Sequence, residues 1–398
     1  MIASDQRPKR IVVLLGAKLI GLDAVLPIIM ALRAEDQALD VRFVFLNAAA
    51  IPTVSANYAL DSAMRDTGTV EYLSSGKGGA AGKMAAAGRL ARHCVLALVR
   101  PAWLFSYTDV GQFPISPLAR AARLGGGKVL IYAKSAYPGG AAELAAHQLK
   151  PQRQNRDVRF VDPGDAFLMY HRDQAPMYAD FGLTRPTLIG TPRQYREWGD
   201  HLDRVGRQTG LLDAAGERIE TDSRPIIAVF YSGDVTIPTQ IDQPRQSLQR
   251  ILDFTARSAA GAAILIKPHP NCDLTELRGD IASSARPDAV ITFAHPQLLA
   301  RAARVAIFNN SSNAMNDVYA EGTCVIETSV YTQEILAHGP SLFPNAGRVD
   351  GSNDDAFDTA LRAAATTPER LPKPCLDDLV SQRPDSIIDT IMQAVARP

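Results

Sequence analysis

Short apolar runs rich in Val, Ile and Leu recur along the chain, each followed by a stretch whose apolar residues follow helical spacing. Runs of this kind predict strands buried on both faces, and their alternation with helices predicts doubly wound α/β domains. Five strands are expected in the first half, over 11–15, 41–46, 104–107, 128–132 and 166–170. The pattern restarts at 225–231 and continues through 263–266, 289–293, 305–308 and 324–327. Between the two sets lies a polar, strand-poor stretch, about 194–223, which reads as a helix plus linker. Near the end, Ile387, Ile388, Ile391 and Val395 repeat at helical spacing and predict a terminal helix over 385–396. No internal repeat of solenoid period is present.

A chain of 398 residues exceeds the usual size of a single core. Two domains are expected, 1–195 and 224–398, joined by 196–223, with the terminal helix assigned to the second. Forty-two basic residues balance 42 acidic ones, which gives no general electrostatic case for nucleic acid as partner. Cys94, Cys272, Cys324 and Cys375 are far apart and form no CxxC pair. That argues against a zinc site or a disulfide framework and fits a reducing compartment. The polar start runs straight into the first expected strand, unlike a secretory signal. No stretch reaches the ~18 uninterrupted apolar residues that span a bilayer. A cytosolic protein is expected.

The chemistry concentrates in the second half. Ile264-Leu265-Ile266 ends in Lys267-Pro268-His269-Pro270, and Val305-Ala306-Ile307-Phe308 ends in Asn309-Asn310-Ser311-Ser312. In an open parallel sheet both turns fall at the carboxyl edge of neighbouring strands, where ligands bind. Prolines on either side stiffen the backbone of His269. Beside Lys267, its imidazole can hold a phosphate or offset charge on a leaving group. A rigid turn with an exposed histidine is the plainer alternative. Ser311 and Ser312 precede a helical stretch, 313–321, that closes on Gly322. They can cap that helix, or share its free amides with a phosphate. Asp317, one turn in, can reach a ribose diol. Ser232-Gly233 follows the strand 225–231, and its glycine lets main-chain amides approach a ligand unless it simply serves a tight turn. His295 precedes Pro296, which opens a helix over 296–303. It can touch a base or ribose, or sit exposed beside the helix cap.

In the first half, Gly16 and Gly21 lie in a loop that resembles a glycine-rich ligand loop, but the GxGxxG spacing is absent. Asp23 falls at the start of the helix that follows, facing the expected cleft, as either a capping carboxylate or a general base. Between Glu71 and Asp109 there is no acidic residue, whereas Lys77, Lys83, Arg89, Arg92 and Arg100 are basic. The later part, 90–105, is rich in Leu and Val and includes Trp103. Such a segment can lie on anionic lipid, as a peripheral membrane contact, or form a surface helix with one buried face.

Together these residues resemble the GT-B glycosyltransferases. Within them they look like bacterial capsule and cell-envelope transferases that use cytidine-nucleotide donors: sialyl- and Kdo-transferase-like enzymes and the CDP-glycerol glycerophosphotransferases. Lys267-Pro268-His269-Pro270 looks like their His-Pro motif. Ser311-Ser312, followed by a helix, Gly322 and a strand, looks like their Ser-Ser motif. The resemblance implies two Rossmann-like domains facing a cleft, the second binding the donor and the first the acceptor. It implies His269, Ser311 and Ser312 as donor-phosphate ligands. Around them it places Ser232, Gly233, Lys267, Pro270 and His295, with Asp317 where the wider pattern has a ribose-binding glutamate.

The activity implied is transfer of a sugar, such as sialic acid or another ulosonic acid, from a CMP-linked donor to a glycan or lipid-linked acceptor. Asp23 would take the acceptor's proton, and Lys267 and His269 would stabilise the departing phosphate. No metal or other cofactor is expected beyond the nucleotide-sugar itself. A UDP-sugar 2-epimerase would keep this fold. The His-Glu-x-Gly-x-Arg segment shared by those enzymes is absent from 132–172. A non-catalytic two-domain small-molecule binding protein is the third alternative, and the lack of a signal segment counts against it.

Overall fold

The computed structural model describes residues 7–396 apart from 77–78, 134–158, 180, 184–185, 222, 234–243, 311, 338–346, 350–352 and 367–382. The chain divides into two compact units. Among the described residues, one takes in 7–133, 159–201 and 383–396, and the other 202–376.

The first unit holds seven strands: β1 (Arg10–Leu15), β2 (Asp40–Asn47), β3 (Thr69–Ser74), β4 (Trp103–Ser106), β5 (Lys128–Tyr132), β6 (Ala166–Met169) and β7 (Pro186–Leu188). They pair in parallel in the order β3-β2-β1-β4-β5-β6-β7, with Ile11 of β1 opposite both Val41 of β2 and Trp103 of β4. The second holds β8 (Ile226–Tyr231), β9 (Ala263–Pro268), β10 (Val290–Ile291), β11 (Val305–Phe308), β12 (Cys324–Glu327) and β13 (Gly347–Arg348). Their order is β10-β9-β8-β11-β12-β13, again parallel. Each sheet winds outward from its first strand and then outward on the other side. This is the doubly wound, Rossmann-like arrangement, with the strand order reversing at β1/β4 and at β8/β11.

Burial explains why these segments are strands. Every residue of β1 and of β8 is buried, as parallel strands covered on both faces require. The three strands that the apolar pattern does not predict, β3, β7 and β13, are all sheet edges. In β3 only Leu73 is buried, so its sequence carries no continuous apolar run. In the second unit Val229, Ile264, Ile266 and Ile307 of the sheet pack with Leu248, Ile251 and Leu252 of the helix Pro244–Ser258. Burying one such side chain contributes about 1.5–3 kcal/mol.

The stretch expected as helix plus linker forms the helix Arg196–Gln208 and then a turn closed by an antiparallel bridge between Leu212 and Arg218. The terminal helix, Ile387–Ala396, which follows the second set of strands and could pack on one domain or bridge back to the other, belongs to the first unit. The reason is local. Glu35, the last residue of the helix Leu19–Glu35, accepts hydrogen bonds from Ser386 Oγ (2.9 Å) and from the amides of Ile387 (2.8 Å) and Ile388 (3.1 Å). A carboxylate on those free amides caps the helix and complements its dipole, worth about 1 kcal/mol. Ile387, Ile388, Ile391 and Met392 are buried beneath it.

Candidate functional site

The second sheet changes direction at β8/β11, and its floor there is rigid. Phe230 and Phe308, directly opposite in register, stack with centroids 4.2 Å apart and planes 9° from parallel. Just beyond them Asn309, almost fully buried, ties the two loops together. Its Oδ1 accepts from the Ser232 amide at 2.9 Å, and its Nδ2 donates to the Pro244 carbonyl at 3.2 Å. Gly233 follows in a left-handed conformation with φ +63°. A Cβ there would lie 3.0 Å from Cys272 Cβ, a tight approach, and the left-handed backbone itself favours glycine.

The turn after β9 lies against this loop. The His269 amide donates to the Tyr231 carbonyl at 2.7 Å, and the Cys272 amide donates back to the His269 carbonyl at 2.9 Å. The His269 side chain is exposed, and its Nδ1 accepts from the Asn271 amide at 3.2 Å. That bond places the proton of a neutral ring on Nε2, which makes Nε2 a donor. Lys267 is half-buried at the end of β9, opposite Phe230, and Pro270 is exposed in the turn.

After β11, Ser312 Oγ accepts from the Ala314 amide at 3.3 Å, and Asn313 stands at the N-cap of the helix Ala314–Ala320. Ser311 lies outside the described residues. The structure therefore sets the Ser232-Gly233 loop against the His269 turn, with Lys267 near the end of β9 and Ser312 in the loop after β11.

Two expected contacts are corrected. His295 is fully buried and is itself the cap of the helix Pro296–Ala302, its Nδ1 accepting from the Gln297 amide at 3.3 Å. Asp317 is also fully buried within its helix. As they stand, neither side chain offers surface to a base or ribose.

The same edge of the first sheet is built differently. Gly16 and Gly21 do not open a ligand loop, because Tyr107, just after β4, occupies the space. A Cβ on Gly16 would lie 2.7 Å from the Tyr107 hydroxyl oxygen, and one on Gly21 would lie 2.2 Å from Tyr107 Cε1. Tyr132 donates to the Gly21 carbonyl at 2.9 Å, and Tyr170 donates to the Ala133 carbonyl at 2.6 Å. Burial pushes both of these phenols up in pKa, so they remain protonated donors. Asp23 is not a capping carboxylate. The helix begins after Lys18, and Asp23 lies a turn further in, paired with the largely buried Arg193 at 2.8 Å.

The basic segment also departs from expectation. It is split: Ala80–Val99 is a helix, while Trp103, Leu104 and Phe105 are buried in β4. Arg89 folds back, its Nε donating to the Leu73 carbonyl at 2.8 Å and its guanidinium lying over the Tyr72 ring. Lys83, Arg92 and Arg100 are exposed, and Lys77 lies outside the described residues.

Asn309 and the three tyrosines carry no motif, so a search for chemistry passes over them. Their signal is positional: Tyr107, Tyr132 and Tyr170 each close a consecutive strand, and Asn309 follows the strand at the reversal.

No known family matches the chain, and no curated protein matches it in sequence. Among solved structures it is similar to the glycotransferase of kitacinnamycin, at 13% identity and a TM-score of 0.48, over 91% of this chain and 92% of that one. It is similar to Os79 from O. sativa, solved in complex with UDP, at 14% identity and a TM-score of 0.48, over 96% of this chain and 94% of that one. A family 9 glycosyl transferase from Veillonella parvula DSM 2008 matches at 13% identity and a TM-score of 0.41, over 86% of each chain. What the sheet edge can bind follows from its own residues.

Proposed function

We propose that this chain is a glycosyltransferase that takes a sugar from a nucleotide-activated donor and delivers it to a glycan or lipid-linked acceptor. One observation carries the proposal. At the β8/β11 reversal, His269 and the Ser232-Gly233 loop meet over a floor fixed by Asn309 and the Phe230–Phe308 stack. A phosphate there can accept from Nε2 of His269 and from the Ser312 hydroxyl, with the Lys267 ammonium adding charge. The donor is proposed to be CMP-linked, and its sugar an ulosonic acid, because the His-Pro and Ser-Ser motifs resemble those of cytidine-donor transferases. In the transfer, the acceptor oxygen bonds to the anomeric carbon as the bond from that carbon to the phosphate oxygen breaks. The electron pair leaves with the phosphate, where His269 and Lys267 offset it. The acceptor's proton passes to Asp23, the proposed base.

Thermal unfolding with CMP, CDP, UDP, GDP and ADP tests the site on wild type and on His269→Ala. A ligand at about 100 times its dissociation constant stabilises by about 2.7 kcal/mol. We expect a cytidine nucleotide to raise the melting temperature of the wild type and to lose most of that effect in the variant. A response to UDP alone would move the reading to a UDP-sugar transferase or a 2-epimerase. If no nucleotide shifts the wild type, the proposal fails.

A further inference from the structure

Eight large apolar side chains are exposed among the described residues, and all eight belong to the first unit. Four of them lie on one helix, Ala80–Val99: Met84 (75% exposed), Val95 (57%), Leu98 (45%) and Val99 (67%). The helix buries His93 and Ala97 on its inner side. Met84, Val95 and Leu98 stand at i, i+11 and i+14, so they share the opposite, outer face, with only Gly88 and Ala91 between them at matching spacing. A fifth exposed residue, Leu124 (80%), ends the neighbouring helix Ile115–Leu124. The next residue, Gly125, is pressed so closely on this helix that a Cβ would lie 2.1 Å from the Ala97 carbonyl oxygen. The chain thus meets this helix at Ala97 and Leu98 directly after Leu124, which is exposed next to that junction.

The charge carried by these two helices has one sign. Neither helix contains an acidic residue, and Lys83, Arg92, Arg100 and Arg120 are exposed along them. An outer face that is apolar down its centre and basic at its margins is the reverse of an ordinary solvated helix face. A second copy of the same face would bring like charges together, and an acidic protein groove would match only the rim. A bilayer surface containing anionic lipid satisfies both parts: acyl chains take the apolar row, and headgroup phosphates take the cations. No described helix is long and apolar enough to cross a membrane, so the contact lies on the surface and does not span it.

We infer that the outer face of Ala80–Val99, extended by Leu124, docks this chain on anionic lipid bilayers. The inference is independent of the donor site, which lies in the other unit.

Flotation with vesicles of phosphatidylcholine, with and without phosphatidylglycerol, tests it on the full chain. The wild type is expected to float with the anionic vesicles and much less with the neutral ones. Val95→Asp with Leu98→Asp should abolish flotation. Arg92→Gln with Arg100→Gln should weaken it about fivefold for each charge removed. All four positions are exposed, and an unchanged melting temperature together with an unchanged nucleotide response verifies that the variants are folded. Equal flotation with both vesicle types, or flotation untouched by either pair of substitutions, overturns the inference. So does light scattering that shows a dimer which Val95→Asp with Leu98→Asp converts to monomer, since the face would then be covered by a second copy.

Discussion

The two units share one sheet order and put it to opposite uses at the carboxyl edge. In the second unit, among the described residues, Gly233 lies against the Cys272 turn, Asn309 is spent on backbone, and His269 is exposed. In the first the corresponding loop is plugged, because Tyr107 fills the space over Gly16 and Gly21 while Tyr132 and Tyr170 hold the surrounding main chain. Both loops need glycine, in one case to admit a neighbouring turn and in the other to admit a ring of the protein itself. A glycine after the first strand therefore does not by itself mark a ligand loop. The residue just past the strand across the reversal differs between the units: the ring of Tyr107 fills the space over Gly16 and Gly21, whereas the buried Asn309 accepts from the Ser232 amide.

Substitutions at Tyr107 and at Ser232 should separate the units most widely. Tyr107→Ala removes a large buried ring and is expected to cost about 3–5 kcal/mol in denaturant unfolding. Ser232→Ala, just past the first strand of the second unit, should stay within about 0.5 kcal/mol, since its hydroxyl makes only a long 3.4 Å contact with the Gly233 carbonyl. A double substitution sharpens the point. Gly21→Ala alone should destabilise, because of the 2.2 Å approach to Tyr107. On the Tyr107→Ala background the same change should turn neutral or favourable, alanine being the better helix former by about 1 kcal/mol. If Gly21→Ala costs the same in both backgrounds, the ring is not what the glycine accommodates.

How far the sequence reveals this architecture depends on which face of an element is buried. Strands β1 and β8, covered on both sides, write continuous apolar runs and are legible at once. The edge strands β3, β7 and β13 are not, because an edge needs no such run. The His269 turn and the Ser232-Gly233 loop were legible from local chemistry, since each joins an apolar run to residues that stiffen or open the backbone. The packing around Gly16, Gly21 and Asp23 was not. Each is decided by a partner far along the chain, Tyr107 for the glycines and Arg193 for the carboxylate, and no local spacing encodes such pairs. His295 and Asp317 were misplaced for the same reason: the sequence shows where a helix starts but not how deeply its first turns are covered.

Asp23 provides the second test, on the closed edge. Removing its charge leaves the largely buried guanidinium of Arg193 without its carboxylate, so Asp23→Asn should lower stability by about 1–3 kcal/mol. A base that accepts the acceptor's proton should in addition cost about 100-fold or more in kcat at a temperature where the variant is fully folded. A stability loss with kcat held within a few-fold of wild type would make Asp23 purely a structural partner of Arg193. The first unit would then be closed to chemistry at this edge.

The smallest expected effect lies at the opposite, amino edges of the two sheets, where both units bury an arginine. In the second, Arg286 is fully employed: it bonds Asp288 with Nε and Nη2, and the Ala262 carbonyl at 2.6 Å with Nη2. In the first, Arg10 has no hydrogen-bond partner at Nε or Nη2, and it shares its surroundings with Arg42, Asp40, Glu71 and the buried His93. Burial holds the His93 imidazole below its ordinary 6.5. Glu71, 3.4 Å away, opposes that shift, while Arg10, Arg92 and Arg42 add to it. From about pH 7.5 upward, a unit above the ordinary 6.5, the ring is neutral whether the chain is folded or not, and it contributes no pH dependence. As the pH falls below that value, the unfolded chain binds a proton that the folded chain refuses. Stability is then lost progressively until the folded pKa is reached, and it levels off below. Melting temperature should therefore decline from about pH 7 toward pH 5.5, and His93→Gln should make the decline shallower in that window while leaving it unchanged above. Parallel profiles for the two proteins would mean that Glu71 fully offsets burial and that His93 titrates alike in the folded and the unfolded chain.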